Sequence, residues 1–142
     1  MKLKNNLSFE AIIRTFEEKY AHKYDFLQLR ELKKGYERNI NISLYANPKF
    51  DYMQMSYIRL GLVNNVDISK YAFTEYSNFL MEIIYQLLRN GAHFENYIIE
   101  DRLNIDRLID HYDLLARHKG LLRLDEWAKH TIYEEAPYHV KS

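Results

Sequence analysis

The side chains in this sequence best equipped for chemistry are six histidines: His22, His93, His111, His118, His130 and His139. Acid and imidazole groups are densest at Asp106, Asp110, His111, Asp113 and His118. Asp106 and Asp110 sit four apart and share one helix face, while His111 and His118 share another. A divalent metal needs several such ligands converging. Here the two pairs point different ways, and no HExxH-like element is present. The plainer reading is a solvated acidic face paired with Arg107, Arg117 and Lys119, so no metal and no other cofactor is expected. The competing reading is a metal-dependent enzyme built on Asp106, Asp110 and His111.

Nucleophilic and phosphate chemistry find less. Cysteine is absent, which removes disulfides, thiolate zinc sites and a thiolate nucleophile and fits a reducing cytosol. Neither GxSxG, nor a P-loop, nor GxGxxG occurs. The four glycines stand apart at 35, 61, 91 and 120, so no glycine-rich phosphate cradle forms between neighbours. The sequence reads as a non-enzyme.

Binding is better served. Arg30, Lys33, Lys34 and Arg38 fall on the outward side of one helix, with Tyr24 and Tyr36 close in sequence. Cations interleaved with aromatic faces suit nucleic acid. The neutral reading is a solvated helix face in which Lys33 and Glu37 pair at i, i+4. The corresponding positions one copy later are Ser56, Arg59, Leu60, Val63 and Asn64. Leu60 and Val63 lie off the apolar stripe and are expected to be partly exposed, unless a central copy is buried on more sides. Together, Arg30, Lys33, Lys34, Arg38, Arg59, Leu60 and Val63 form a candidate protein-binding surface. Trp127 is expected in the core under the last helix. The tail Tyr138-His139 is expected either to dock on a partner or to fray.

The elements that must carry these residues repeat. Residues 50–75 are an edited copy of residues 24–49, with eight of 26 aligned positions identical. These are Asp25/Asp51, Gln28/Gln54, Gly35/Gly61, Asn39/Asn65, Ile42/Ile68, Ser43/Ser69, Tyr45/Tyr71 and Ala46/Ala72. In each copy Asp-x-x-Gln makes a capping box. Leu29, Leu32 and Tyr36, then Met55, Ile58 and Leu62, draw one apolar stripe. A short turn follows, capped by Asn41 or Asp67, with Ile42/Tyr45 and Ile68/Tyr71 pointing one way. A third copy opens at Ser77, with Met81, Ile84 and Leu88 on the stripe, Phe94 and Tyr97 in the short turn, and Gly91 as a helix stop. A fourth opens at Asn104, with Ile105, Leu108, Tyr112 and Leu115 on one face and Gly120 as stop. The caps at 25, 51, 77 and 104 are therefore 26, 26 and 27 residues apart. Gly within a helix costs about 1 kcal/mol against Ala, so Gly35 and Gly61 in one register predict close approach of a backbone or a Tyr ring. Leu87, in the same register, predicts a different contact in the third copy.

The expected architecture is all-α, a short α-solenoid-like stack of long–short helix pairs with capping helices at both ends. One domain over 1–142 divides into a cap helix 8–23, repeats 24–49, 50–75, 76–101 and 102–121, and a C-terminal helix 125–136. Residues 1–49 carry 10 Lys/Arg against 6 Asp/Glu, residues 50–101 carry 3 against 7, and residues 102–142 carry 7 of each. Zero net charge argues against a dedicated DNA binder and against a DNA mimic, but a dipolar surface can steer a protein partner. The N-terminus MKLKNNLSFE lacks a signal-peptide run. No stretch approaches the roughly 18–20 apolar residues of a membrane span. A soluble, cytoplasmic protein is expected.

The pattern F-D-x-x-Q-M-x-x-I-R-x-G-L-x-x-x-V-D-I-S-x-Y-A over Phe50 to Ala72 resembles tandem repeats in uncharacterised proteins of phages and bacterial mobile elements. The resemblance is strongest over 50–72 and fades beyond 77. It implies no catalytic residues. It implies a small accessory protein that acts on host machinery, in the cytoplasm of a bacterial host. The expected function is an inhibitor that blocks a host defence complex by steric occlusion, of the anti-CRISPR type, with a CRISPR effector or other defence protein as partner. The alternative is a nucleic-acid-binding regulator using the N-terminal basic face.

Overall fold

A computed structural model describes residues 7–140; the N-terminus read as lacking a signal peptide lies largely outside the described residues. The fold is all-α, with one two-stranded ribbon. Among the described residues there are six helices: α1 (Phe9–Tyr20), α2 (Phe26–Glu37), α3 (Tyr52–Val63), α4 (Asn78–Arg89), α5 (Ile105–Lys119) and α6 (Glu126–Glu135). None is long and apolar enough to cross a membrane.

Local chemistry sets the helix starts. Ser8, Asp25, Asp51, Ser77, Asn104 and Asp125 each stand at an N-cap and accept a backbone N–H from three residues on. Such a cap stabilises by about 1 kcal/mol. At Asp25 and Asp51 the full capping box forms, with Gln28 and Gln54 reaching back to the cap N–H at 2.9 and 2.8 Å. The stops repeat as well. Asn39, Asn65 and Gly91 hold one register with φ of 59°, 56° and 94°. Beyond each, Ile40, Val66 and Ala92 donate to Gly35, Gly61 and Leu87 carbonyls at 3.0, 2.8 and 3.0 Å. This is the Schellman closure, in which a left-handed residue lets the chain satisfy a terminal carbonyl.

Between the long helices run 3₁₀ turns at Ile42–Tyr45, Ile68–Lys70 and Phe94–Tyr97. Asn41 and Asp67 cap the first two. Tyr45 is fully buried and donates to the Glu31 carbonyl at 2.8 Å; Tyr71 does the same to Tyr57 at 2.6 Å. Each ring lies on a glycine. A Cβ at Gly35 or Gly61 would overlap the Tyr hydroxyl and would come within 2.8 or 2.6 Å of Cγ2 of Ile42 or Ile68. In the third copy the register is held by Leu87, which is buried, and Tyr97 meets His111, with its hydroxyl 2.8 Å from Nδ1.

α2 packs on α3, α3 on α4 and α4 on α5. The stripe residues Leu32, Met55, Ile58, Met81, Ile84, Leu108 and Tyr112 are at most 1% exposed. The buried residues form one continuous cluster from Ile12 to Tyr138.

The C-terminal part departs from the repeat. After the third 3₁₀ turn, β1 (Ile98–Ile99) pairs antiparallel with β2 (Arg102–Leu103). The two-residue loop Glu100-Asp101 has φ of 51° and 63°, the left-handed pair that matches strand twist. No short helix follows α5; α6 turns back and packs on both α4 and α5. The tail neither frays nor hangs free. Leu103 N–H donates to Tyr138 O at 3.0 Å and Val140 N–H to Asp101 O at 2.8 Å, adding an edge to the ribbon. Tyr138, only 4% exposed, donates to Ile132 O at 2.9 Å.

Candidate protein-binding surface

α2 buries Gln28, Glu31, Leu32 and Gly35 on one side. The opposite side is therefore left to solvent, and Phe26, Arg30, Lys33, Lys34, Glu37 and Arg38 are all exposed there. Phe26, Arg30, Lys33 and Glu37 follow one another at i+4 and i+3, so they draw a single ridge along the helix. The pair expected between Lys33 and Glu37 does not form. Among the described residues, Lys34 alone of the four cations has an ion pair, with Glu31 at 3.2 Å. Arg30, Lys33 and Arg38 stand without an acidic partner among the described residues, and their field faces outward.

Arg59, Leu60 and Val63 are placed differently. Arg59 is drawn inward, its Nε 3.1 Å from Glu31 Oε1. Glu31 is 3% exposed and takes both Arg59 and Lys34. A buried carboxylate is tolerable only with such paired, hydrogen-bonded charge. Leu60 is half-buried and packed against the core, and Val63 is half-buried. The cause is position: α3 is flanked by α2 and α4, whereas the outer side of α2 is met only in part by α1. The candidate surface thus contracts to α2.

The same contact slot recurs with different chemistry. Glu31 meets Arg59 between α2 and α3, and Tyr57 meets Tyr85 between α3 and α4 with ring centroids 6.3 Å apart. Both pairs are 28 residues apart. Tyr85 also accepts from Asn64 Nδ2 at 2.8 Å. Nearby, burial raises the Glu82 carboxyl pKa, opposed by a hydrogen bond with Tyr57.

The acid–imidazole cluster is taken apart by its own neighbours. Asp106 accepts the Tyr133 hydroxyl, which pushes the Tyr133 pKa up to about 12. His111 is held by Tyr97. Asp113 pairs with Lys129 at 3.2 Å, not with the arginines expected to neutralise this face, and its Oδ1 is buried without a partner. Asp106, Asp110 and His111 do not converge, and among the described residues no three His, Asp or Glu side chains are grouped to hold a metal. Open clefts lie along α1, where one of about 440 Å³ is lined by Arg14, Glu17, Glu18, His22 and Lys23, and beside Asp106, where one of about 350 Å³ is lined by Asn104, Asp106, Tyr133 and the ribbon.

Two aromatic residues stand apart from expectation. Trp127 is not core: it is 67% exposed and meets Phe79 edge-on at 5.2 Å, while Ala128 and Ile132 carry the packing of α6. Phe26 is 74% exposed. Its signal was present, since it follows the cap Asp25 and lies off the Leu29/Leu32/Tyr36 stripe.

No protein-family model matches the chain, and neither a curated protein nor a solved structure matches it.

Proposed function

We propose that the protein is a non-enzymatic binding module that engages a protein partner through the outer face of α2 and acts by occluding it. The observation that carries this reading is the uncompensated charge of Arg30, Lys33 and Arg38 on an exposed helix that also presents Phe26. Exposed cations around an aromatic anchor give a partner both steering and a desolvated contact. Of the candidate catalytic set Asp106, Asp110 and His111, Asp106 and His111 are engaged within the fold. The resemblance of the repeat over 50–72 to repeats of mobile-element proteins supports a host protein of a bacterial cytoplasm as the partner. In its sharpest form the partner is a defence complex, a CRISPR effector for example.

A plasmid-interference assay with an effector nuclease, alongside affinity capture of that effector, tests the proposal. Protection by the native protein, lost in the R30E/K33E/R38E variant with an unchanged melting curve, is the expected result. Absence of protection and of capture would end the reading. The nucleic-acid alternative draws on the same cations. It requires oligonucleotide binding that falls steeply with salt.

A further inference from the structure

The repeat itself supplies a template for what the α2 ridge is built to meet. In α3, the residue at the register of Lys33 is Arg59, and it meets the Glu31 carboxylate of the preceding helix at 3.1 Å. In α4 the same register is Tyr85, and it meets Tyr57 of the preceding helix. The register therefore faces the preceding helix in both α3 and α4. At α2 the neighbour on that side is α1, which is seated elsewhere. Phe9 of α1 meets Tyr36 at a tilt with centroids 5.4 Å apart, Glu17 accepts from Tyr24 N–H at 3.3 Å, and the flanking cleft is lined by Leu29. Lys33 is left exposed, with Arg30 and Phe26 beside it on the ridge.

We infer that the α2 ridge docks an acidic amphipathic α-helix of a partner protein. One of its carboxylates stands over Lys33 and Arg30 as Glu31 stands over Arg59, and an apolar side chain covers Phe26. The charge is complementary over the Phe26–Lys33 part of the ridge, where Arg30 and Lys33 have no acidic partner among the described residues; Glu37 ends that part, so the carboxylates lie N-terminal to it. Phe26 at 74% exposure supplies the apolar anchor, whereas its counterpart Tyr52 is 36% exposed. The inference rests on the reading of α2 as a partner-binding face. It narrows that partner to a helix carrying carboxylates.

The test uses the full chain and a stapled amphipathic helix that bears one Leu and a row of Glu on one face, with fluorescence anisotropy as readout. The Glu helix is expected to bind, and its Glu→Gln form to bind about tenfold more weakly or worse, as for loss of a close charge pair. Lys33→Glu should weaken the Glu helix similarly, and a Glu→Lys helix should recover binding to that variant. Phe26→Ala should weaken both pairings. Equal binding of the Glu and Gln helices, no binding at millimolar peptide, or failure of the charge swap overturns the inference. So does a single-stranded oligonucleotide that binds in a Lys33-dependent way while the peptide does not. If capture of a host protein still depends on Arg30 and Arg38 when the peptide fails, the broader reading survives and the helical partner does not.

Discussion

At Gly61 the backbone of α3 lies against the hydroxyl of Tyr71 and Cγ2 of Ile68. Tyr71 cannot swing aside, because it is fully buried and bonded to the Tyr57 carbonyl. Gly61→Leu must therefore break that bond and displace the ring. It is expected to destabilise by about 3 kcal/mol or more, beyond any change in helix propensity, as overpacking of a filled site does. A melting curve checks this. The close approach was legible from two glycines in one helical register; which atoms approach was not, since the sequence offered a backbone and a ring equally. Glu82 gives a second residue-scale expectation. Burial raises its pKa in the fold, against the hydrogen bond with Tyr57. A carboxyl whose folded pKa exceeds its unfolded one contributes fully only below the unfolded value, and loses that contribution as pH rises through the folded one. Glu82→Gln, which keeps an acceptor for Tyr57, is therefore expected to raise Tm above neutrality. Near about pH 4 the difference should vanish.

At the scale of elements, the glutamines of the capping boxes do two jobs. Gln28 Nε2 donates to the carbonyls of Pro48 and Phe50 at 3.0 and 2.7 Å, and Gln54 Nε2 to those of Thr74 and Tyr76 at 3.2 and 2.7 Å. Each thus ties the start of its helix to the start of the next copy. Gln54→Ala removes the box and strands two carbonyls, so a loss of about 2–4 kcal/mol is expected; urea unfolding measures it. The caps were readable because Asp-x-x-Gln is a local rule. The ties were not, because their acceptors lie 20 and 22 residues away. The third copy has Leu80 in this register, and the sequence stops predicting the fold soon after it. The ribbon at 98–103 went unread because Glu100-Asp101 carries none of the Asn-Gly chemistry that marks such a loop. The Asn39 and Asn65 stops were visible as identities, yet their role emerges only when Gly91 is seen to share their φ.

For the molecule as a whole, tyrosine dominates the interior. Tyr45, Tyr71, Tyr76, Tyr85 and Tyr112 are among the largest fully buried side chains. Burial pushes the phenol pKa of Tyr76 and Tyr112 up to about 12, and that of Tyr24, Tyr45, Tyr71 and Tyr138 higher. The sign is fixed by linkage. With the folded pKa above the unfolded value near 10, these phenols cost the fold nothing below about pH 10. Above that it loses up to about 1.4 kcal/mol per pH unit for each such group. Cooperative alkaline unfolding is expected, with the rise of tyrosinate absorbance and the loss of helical ellipticity coinciding. Phenols that titrate one by one on an intact helix signal would contradict it. The basic face was legible because four cations fall within nine residues of one helix. The inward turn of Arg59 and Leu60 was not, because it depends on α3 having neighbours on both sides. Trp127 misled for a related reason: α6 packs on α4 and α5 through Ala128 and Ile132, a face set by those neighbours and not by the size of the side chain.

The shared slot that holds Glu31 to Arg59 has a consequence for how this gene can grow. Doubling the segment 24–49 in tandem would bring the first Glu31 opposite the second Lys33, a carboxylate again facing a cation. The first Gln28 would find the Pro48 carbonyl as it does now and, in the place of Phe50, the carbonyl of the second Tyr24. Lengthening by whole units is thus compatible at the seam, and a tandem form is expected to fold with one more hairpin and a larger helical signal.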